Sequence, residues 1–236
     1  MFQTIRSLVF YLGLGLATVV LMFLLPISIM KSGLQRNRFL ARWSGFIITM
    51  LRCICGVHYV LEGAAISTER NAIILSKHQS TWETFGLQVI FPAQTWVLKQ
   101  ELLWIPIFGW ALKVAGAISI DRSSGKKALM QVIHEGKDRL DKGYWVVVFP
   151  EGTRTPPGSR GKYNAGGAML AARSGYPVVP VAHNAGLFWG EGFTIRPGTV
   201  RVVVGEPIET ADMKAGDINT QVEEWIEARM DEILTR

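Results

Sequence analysis

The sequence predicts an α/β protein, with a mixed, largely parallel sheet of about six or seven strands flanked by helices and preceded by a membrane-associated helical segment. Three observations predict it. Short apolar runs rich in branched residues, such as Ala72–Leu75 and Val200–Val204, alternate with longer stretches of helical periodicity. Tyr144–Phe149 is apolar without alternation, as in a strand covered on both faces. Ser7–Met30 is an uncharged stretch of 24 residues. The expected division is 1–57 for the helical segment and 58–236 for the α/β domain.

As a helix, Ser7–Met30 would reach about 36 Å, against a hydrocarbon core of about 30 Å. Pro26 is a kink point near its end. The run is too long for a cleaved signal peptide, and no Ala-x-Ala site follows it. Phe39–Val57 differs in kind. Phe39, Trp43, Phe46, Ile47, Met50, Leu51 and Ile54 share one helical face, while Arg42 and Arg52 lie elsewhere. That pattern predicts an interfacial helix in the acyl boundary, the alternative being a helix packed on the domain.

Charge supports the membrane reading. The net charge is +6, from 25 basic and 19 acidic residues. Residues 1–61 hold six basic residues (Arg6, Lys31, Arg36, Arg38, Arg42, Arg52) and no acid, so residues 62–236 balance at 19 of each sign. The excess therefore accompanies the most apolar part of the chain. It suits an anionic membrane surface; a nucleic-acid binder would carry it on the folded domain. If the first helix spans, Lys31, Arg36, Arg38 and Arg42 place its C-terminal end in the cytoplasm. If it does not, the two helices form a monotopic hairpin. Cys53 and Cys55 are the only cysteines, with no disulfide or zinc spacing, which favours a reducing compartment.

Along the domain, His58–Gly63 reads as a first strand and Ala72–Leu75 as a second. Ser80 or Thr81 then starts a helix with Trp82, Phe85, Leu87 and Ile90 on its apolar face. Gln94–Leu98 is a short strand, Ile105–Val114 an apolar helix, and Ala115–Ile120 another strand. Lys126–Asp141 is an amphipathic helix with Ala128, Leu129, Val132, Ile133 and Leu140 inward. Tyr144–Phe149 is a central strand. Pro156–Lys162 is a flexible basic loop, read as a lid or as plain surface. Ala165–Ser174 is a helix ended by Gly175, and Pro177–Ala182 a strand. Val200–Val204 is the last strand, and Thr220-x-x-Glu223 caps the final helix.

The chemistry concentrates at strand exits. His78 leaves the second strand just before a helix begins, where α/β proteins place sites. A neutral imidazole there can take a proton from a hydroxyl if a carboxylate fixes its tautomer. Glu83 is the nearest carboxylate in sequence. Yet Ser80-x-x-Glu83 is equally a capping box, in which Glu83 only satisfies a backbone amide. Lys99 and Arg122 leave two other strands and suit a phosphate, as does Arg154; for Lys99 the alternative is a solvated surface lysine, and for Arg122 a structural pair with Asp121 or Glu151. Gly152 permits close backbone approach, and Thr153, Arg154 and nearby amides can form an anion nest. His183 follows the strand Pro177–Ala182 and ranks below His78.

Four stretches together resemble the glycerolipid acyltransferases of the 1-acylglycerol-3-phosphate acyltransferase family: His78-x-x-x-x-Glu83, Ala117–Arg122, Phe149-Pro150-Glu151-Gly152-Thr153-Arg154 and Val178–Val181. They occur in the family's order over roughly Ala72 to Gly186. This chain has Glu83 where the family usually has Asp, and Asn164 near a position that often carries Lys. The resemblance implies transfer of a fatty acyl group from acyl-CoA or acyl carrier protein to the sn-2 hydroxyl of lysophosphatidic acid, giving phosphatidic acid. It implies His78 as base, Glu83 as its orienting acid, and Arg122, Arg154, Lys99, Glu151, Gly152 and Thr153 around the substrate phosphate. Gly-x-Ser-x-Gly is absent, so no serine elbow is expected. No metal cluster or nucleotide loop is visible in the sequence, and no cofactor is expected beyond the thioester carrier. The expected location is a membrane of bacterial inner-membrane type, with the acyltransferase domain on the cytoplasmic face. Two other readings stand beside this one: an acyltransferase on another lysolipid, such as a lyso-ornithine lipid, or on glycerol 3-phosphate; and a non-enzymatic, membrane-tethered lipid-binding protein.

Overall fold

A computed structural model describes residues 2–235. Two long helices come first, α1 (Phe2–Ile29) and α2 (Gly33–Cys55). Gly56, in the left-handed conformation, ends α2 and turns the chain into β1 (Val57–Gly63). There follow β2 (Ile73–Ser76), α3 (Trp82–Ile90), β3 (Gln94–Lys99), α4 (Phe108–Val114), β4 (Ile118–Ile120) and α5 (Lys126–Asp141). The chain ends with β5 (Trp145–Val148), α6 (Gly166–Ser174), β6 (Val178–His183), β7 (Gly198–Val204) and α7 (Ala215–Leu234).

The described residues form one seven-stranded sheet in the order β1-β7-β6-β2-β5-β3-β4. All pairings are parallel except β6 with β7, so β1 and β7 run against the other five strands. This is the mixed, largely parallel sheet expected from the alternating pattern. β2 and β5 lie inside it, and every residue of both is buried, which is why neither shows polar alternation. One face packs on α5, α6 and α7 through Val146, Leu170, Val222 and Ile226. The other packs on α1, α2 and α3 through Phe10, Ile47, Leu51 and Trp82.

Several expectations need correction. The apolar face of α2 is not free for lipid: Ile47 and Leu51 are fully buried against the α/β core, and only Phe46 of the predicted face stands well out. Periodicity reports an apolar face, not what covers it. The helix expected over Ile105–Val114 is shorter, starting at Phe108 after a 3-10 turn over Gln100–Trp104. The final helix starts at Ala215, one turn before the Thr220-x-x-Glu223 pattern, because Ile218 extends the stripe Val222, Ile226, Met230. His183 belongs to β6 itself and does not follow it.

α1 is the one described helix long and apolar enough to cross a membrane. One stripe of it (Ser7, Phe10, Ala17, Leu21, Leu25, Ser28) is buried along its whole length. Ser7 Oγ accepts the Ile195 amide at 2.8 Å, and the Phe10 ring meets Trp189 edge-on. The opposite stripe, Leu12, Leu16, Val20, Phe23 and Ile27, is exposed.

Candidate active site

The site begins with two parallel neighbours. β2 and β6 run in register from Ile73 beside Val178 to Ser76 beside Val181. Two residues beyond that last pair stand His78 and His183. Beside β2 lies β5, whose exit leads into Phe149-Pro150-Glu151-Gly152-Thr153-Arg154.

His78 is fixed at backbone and ring. Its amide donates to Glu151 Oε2 at 2.8 Å, and its carbonyl accepts the Thr155 amide at 2.8 Å. Its ring stacks on Phe149 at a centroid distance of 4.1 Å. Nδ1 lies against Glu83 Oε1 in a short hydrogen bond. A carboxylate facing Nδ1 places the imidazole proton there and leaves the Nε2 lone pair available. No described residue hydrogen-bonds Nε2, and the side chain is 18% exposed while Glu83 is fully enclosed.

Both readings of Glu83 are realised at once. Its Oε2 accepts the amides of Gln79 at 3.1 Å and Ser80 at 3.2 Å, as a capping acid would. Ser80 Oγ accepts the Trp82 amide at 2.9 Å and completes the start of α3. Oε1 is left for His78. The same Oε2 also meets His183 Nε2 at 2.8 Å. Burial pushes this carboxyl up, but attraction to His183 and hydrogen bonds from His183 and His78 overcome it and hold it at about 2. Glu83 is therefore ionised at any neutral pH.

Glu151 is placed differently from the expectation that it holds the substrate or braces the arginines. Its carboxylate is buried and takes three partners: the His78 amide, Thr155 Oγ1 at 2.7 Å and Lys77 Nζ at 2.7 Å. Lys77, itself buried, also reaches Glu227 of α7 at 2.8 Å and the Ser159 carbonyl at 3.1 Å. Glu151 is thus a strut for the His78 loop. Sequence reasoning missed Lys77, because a lysine beside a histidine reads as exposed; its burial rests on a glutamate 150 positions away.

Arg122 meets the same loop. Its guanidinium donates to the Gly152 carbonyl, and burial lowers its pKa. Neither acid weighed as its partner takes it: Asp121 accepts instead from Ser123 N and Oγ. Gly152 has φ +72°, and a Cβ there would lie 3.2 Å from Asn164 Nδ2. Asn164 in turn donates to the Pro150 carbonyl at 2.9 Å, so the residue standing near a usual lysine braces this turn. The Gly152 amide closes onto Phe149 at 3.0 Å, leaving the amides of Thr153 and Arg154 without a backbone partner among the described residues. The Arg154 side chain pairs with no described residue, and Thr153 is exposed. Lys99 leaves β3 beside Ile120 and pairs with Glu101 at 3.3 Å.

The loop 156–162 lies against α7 through one exposed arginine. Arg160 reaches Glu227 at 3.5 Å and Asp231 at 3.8 Å, both on α7. A cleft of about 340 Å³ opens beside Phe149, lined by Arg122, Leu129, Gly152 and Gly167 among others. Apolar walls with a guanidinium at one edge suit an amphiphile with an anionic head.

Comparison with known proteins gives concordant results. The Acyltransferase family model matches residues 59–184, which include every residue of this site except Glu227 and Asp231 of α7. The chain is 42% identical over 98% of its length to a 1-acyl-sn-glycerol-3-phosphate acyltransferase of Pseudomonas aeruginosa, 92% of which is covered. It is 30% identical over 74% of its length to the protein of that name from Cocos nucifera, of which it spans 57%. Its fold superposes on the crystal structure of the 1-acyl-sn-glycerophosphate acyltransferase PlsC of Thermotoga maritima with a TM-score of 0.81, at 24% identity, covering 99% of this chain and 98% of that one. Extensive identity to a curated relative and a family match across the His78–His183 region make this chain a member of the 1-acyl-sn-glycerol-3-phosphate acyltransferase family, and an acyltransferase enzyme.

Proposed function

We propose that this enzyme moves a fatty acyl group from a thioester, acyl-CoA or acyl carrier protein, to the sn-2 hydroxyl of 1-acyl-sn-glycerol 3-phosphate, giving phosphatidic acid. The observation that carries the reading is the His78 imidazole, gripped at Nδ1 by a buried carboxylate and free at Nε2. His78 Nε2 takes the hydroxyl proton as the oxygen attacks the thioester carbonyl. Glu83 steadies the imidazolium that forms. The tetrahedral intermediate collapses, the C–S bond breaks, and the thiolate leaves with the proton from His78. The free amides of Thr153 and Arg154 suit the oxyanion. We assign the phosphate to Arg122 and Arg154, with Lys99 as a third cation. The reaction needs no cofactor beyond the thioester carrier. The names of the relatives support this acceptor over a lysolipid lacking phosphate.

Arg122→Ala is expected to raise the lysophosphatidate KM by about 10- to 100-fold, the scale of a lost charge-assisted hydrogen bond. The thioester KM should stay within about threefold. Product analysis by mass spectrometry across lysolipids checks the acceptor. A phosphate-free acceptor used equally well, or a larger effect on the donor KM, would place the phosphate elsewhere.

Membrane attachment follows from α1, and we read it as monotopic, on the cytoplasmic leaflet. A helix packed on the domain along its length cannot leave that domain behind to cross the bilayer. Its exposed stripe lies in lipid instead. Leu16 and Phe23 are 68% and 69% exposed, so Leu16→Glu with Phe23→Glu should leave the fold intact. Each lost insertion costs about 1.5–3 kcal/mol, so cosedimentation with anionic vesicles should fall by at least about a hundredfold. Undiminished binding would sink the monotopic reading.

A further inference from the structure

We infer that His183 is a positioning residue for acyl transfer, acting on His78 through Glu83. The inference rests on the reading of His78 as the base, and it adds a second histidine to that pair.

The starting point is the length of Glu83. A glutamate has one more rotatable bond than an aspartate, so its carboxylate reaches His78 from a longer and looser arm. Orientation of a catalytic acid depends on fixing both oxygens. Oε1 meets His78, and Oε2 must be held by something else. Amides of Gln79 and Ser80 approach it at 3.1 and 3.2 Å, while His183 Nε2 is closer, at 2.8 Å. His183 is thus the nearest side-chain clamp on the far oxygen.

The tautomer of His183 is set by its other nitrogen. The Ala185 amide donates to Nδ1 at 3.3 Å, so Nδ1 presents a lone pair and the proton sits on Nε2. Nε2 hydrogen-bonds the Lys77 carbonyl at 2.9 Å and lies in ion-pair contact with Glu83 Oε2 at 2.8 Å. His183 is therefore a fixed donor. It is fully buried, with the Trp82 ring centroid 6.3 Å from its own. It has no route to a substrate, so its effect passes through Glu83.

The arrangement comes from strand order. β6 lies beside β2, and His183 and His78 each stand two residues beyond the last paired residues, Val181 and Ser76. The two imidazoles thus stand on neighbouring parallel strand ends, with the carboxylate from the first turn of α3 between them. The charged groups facing this unit are Glu83 and His78 themselves and, beneath the His78 amide, Glu151 neutralised by Lys77. No other described charge contacts Glu83.

Two consequences separate positioning from packing. Loss of the Nε2–H leaves Glu83 with less of its charge compensated, so it binds the proton on His78 more tightly. The acidic limb of the kcat/KM profile then moves to higher pH. The loss also acts only where Glu83 is present.

The test uses the full-length enzyme in vesicles, with thiol release from acyl-CoA and lysophosphatidate as acceptor. His183→Leu is expected to lower kcat by about 10- to 100-fold, the scale of a misplaced catalytic group, with both KM values within about threefold. Its acidic limb should move up. His183→Gln carries an N–H near the Nε2 position and should recover to within a few fold of wild type. His183→Asn is too short to reach Glu83 and should resemble His183→Leu. In a Glu83→Gln background, His183→Leu should add less than about threefold. If His183→Leu does not fold, the Gln and Asn variants decide: Gln active and Asn slow supports the inference, and equal rates overturn it. A wild-type kcat and acidic limb in His183→Leu also overturn it. His78→Ala run alongside keeps the two readings apart. If it remains active, the base assignment fails; if it is inactive while the His183 variants match wild type, only the role of His183 fails.

Discussion

Replacing His78 by alanine is expected to lower kcat by about 10³- to 10⁴-fold, the upper range for a positioned general base, with little change in either KM. The ring sits where proton transfer needs it: one nitrogen on a buried carboxylate, the other free, and the plane held against Phe149 at 4.1 Å. Nothing else within the described site offers a neutral acceptor in that place. His183 is fully buried, with Nε2 held between the Lys77 carbonyl and Glu83, so it cannot substitute. The fold should survive, because the loop is pinned by its backbone: the His78 amide on Glu151 and its carbonyl on Thr155 both persist in the alanine variant. Loss of the ring stack costs about 0.5–1.5 kcal/mol. Thiol release by the purified variant, beside its thermal melt, checks the prediction. A rate within tenfold of wild type with a normal melt would rule His78 out as the base.

The second large effect is on stability. Lys77→Met is expected to destabilise the protein by about 3–5 kcal/mol. The methionine fills much of the same volume, so packing changes little; the cost is electrostatic. Among the described residues Lys77 is the buried cation that meets both Glu151 and Glu227, and both acids lie within the fold. Removing it strands two carboxylates away from water. Arg160 compensates little, being 3.5 Å from Glu227 and mostly exposed. At about 2–4 °C per kcal/mol for a chain of this size, the melting temperature should fall by roughly 6–20 °C. Glu227→Gln introduced beside Lys77→Met should restore part of it, since one stranded charge is gone. Melts of the two variants measure both effects. A fall of under 2 °C in the single variant would show that the acids accept protons or water at little cost.

These two sites differ in how far the sequence revealed them. His78 and Glu83 lie five positions apart at the junction of a strand and a helix, so local chain geometry suffices to bring them together. The branched, apolar strands were legible for a similar reason: residues buried on both faces leave no room for polar alternation, as in β2 and β5. Arg122 was legible as a residue at a strand exit, but its hydrogen bond to the Gly152 carbonyl was not, since that partner comes from another strand. Lys77 and His183 were missed or ranked low. Lysine gives no sign of burial until Glu227 arrives from α7, and His183 is ordinary until β6 is laid beside β2. The final helix shows a different failure. A Thr-x-x-Glu pattern marks a helix start only if the apolar stripe does not extend before it, and Ile218 extends it.

By itself the sequence determined the α/β class, the positions of most strands and helices, His78 and Glu83 as candidates for one site, and an apolar N-terminal helix with a basic surround. Each of these depends on residues within one turn or one strand of each other, so short-range periodicity and spacing suffice. Only the tertiary structure decided that α2 lies in the core, that Glu151 braces a buried lysine, and that a second histidine closes on Glu83. Those depend on which strands become neighbours, and strand order is settled by burying both faces of the sheet at once, a condition that no local stretch of chain expresses.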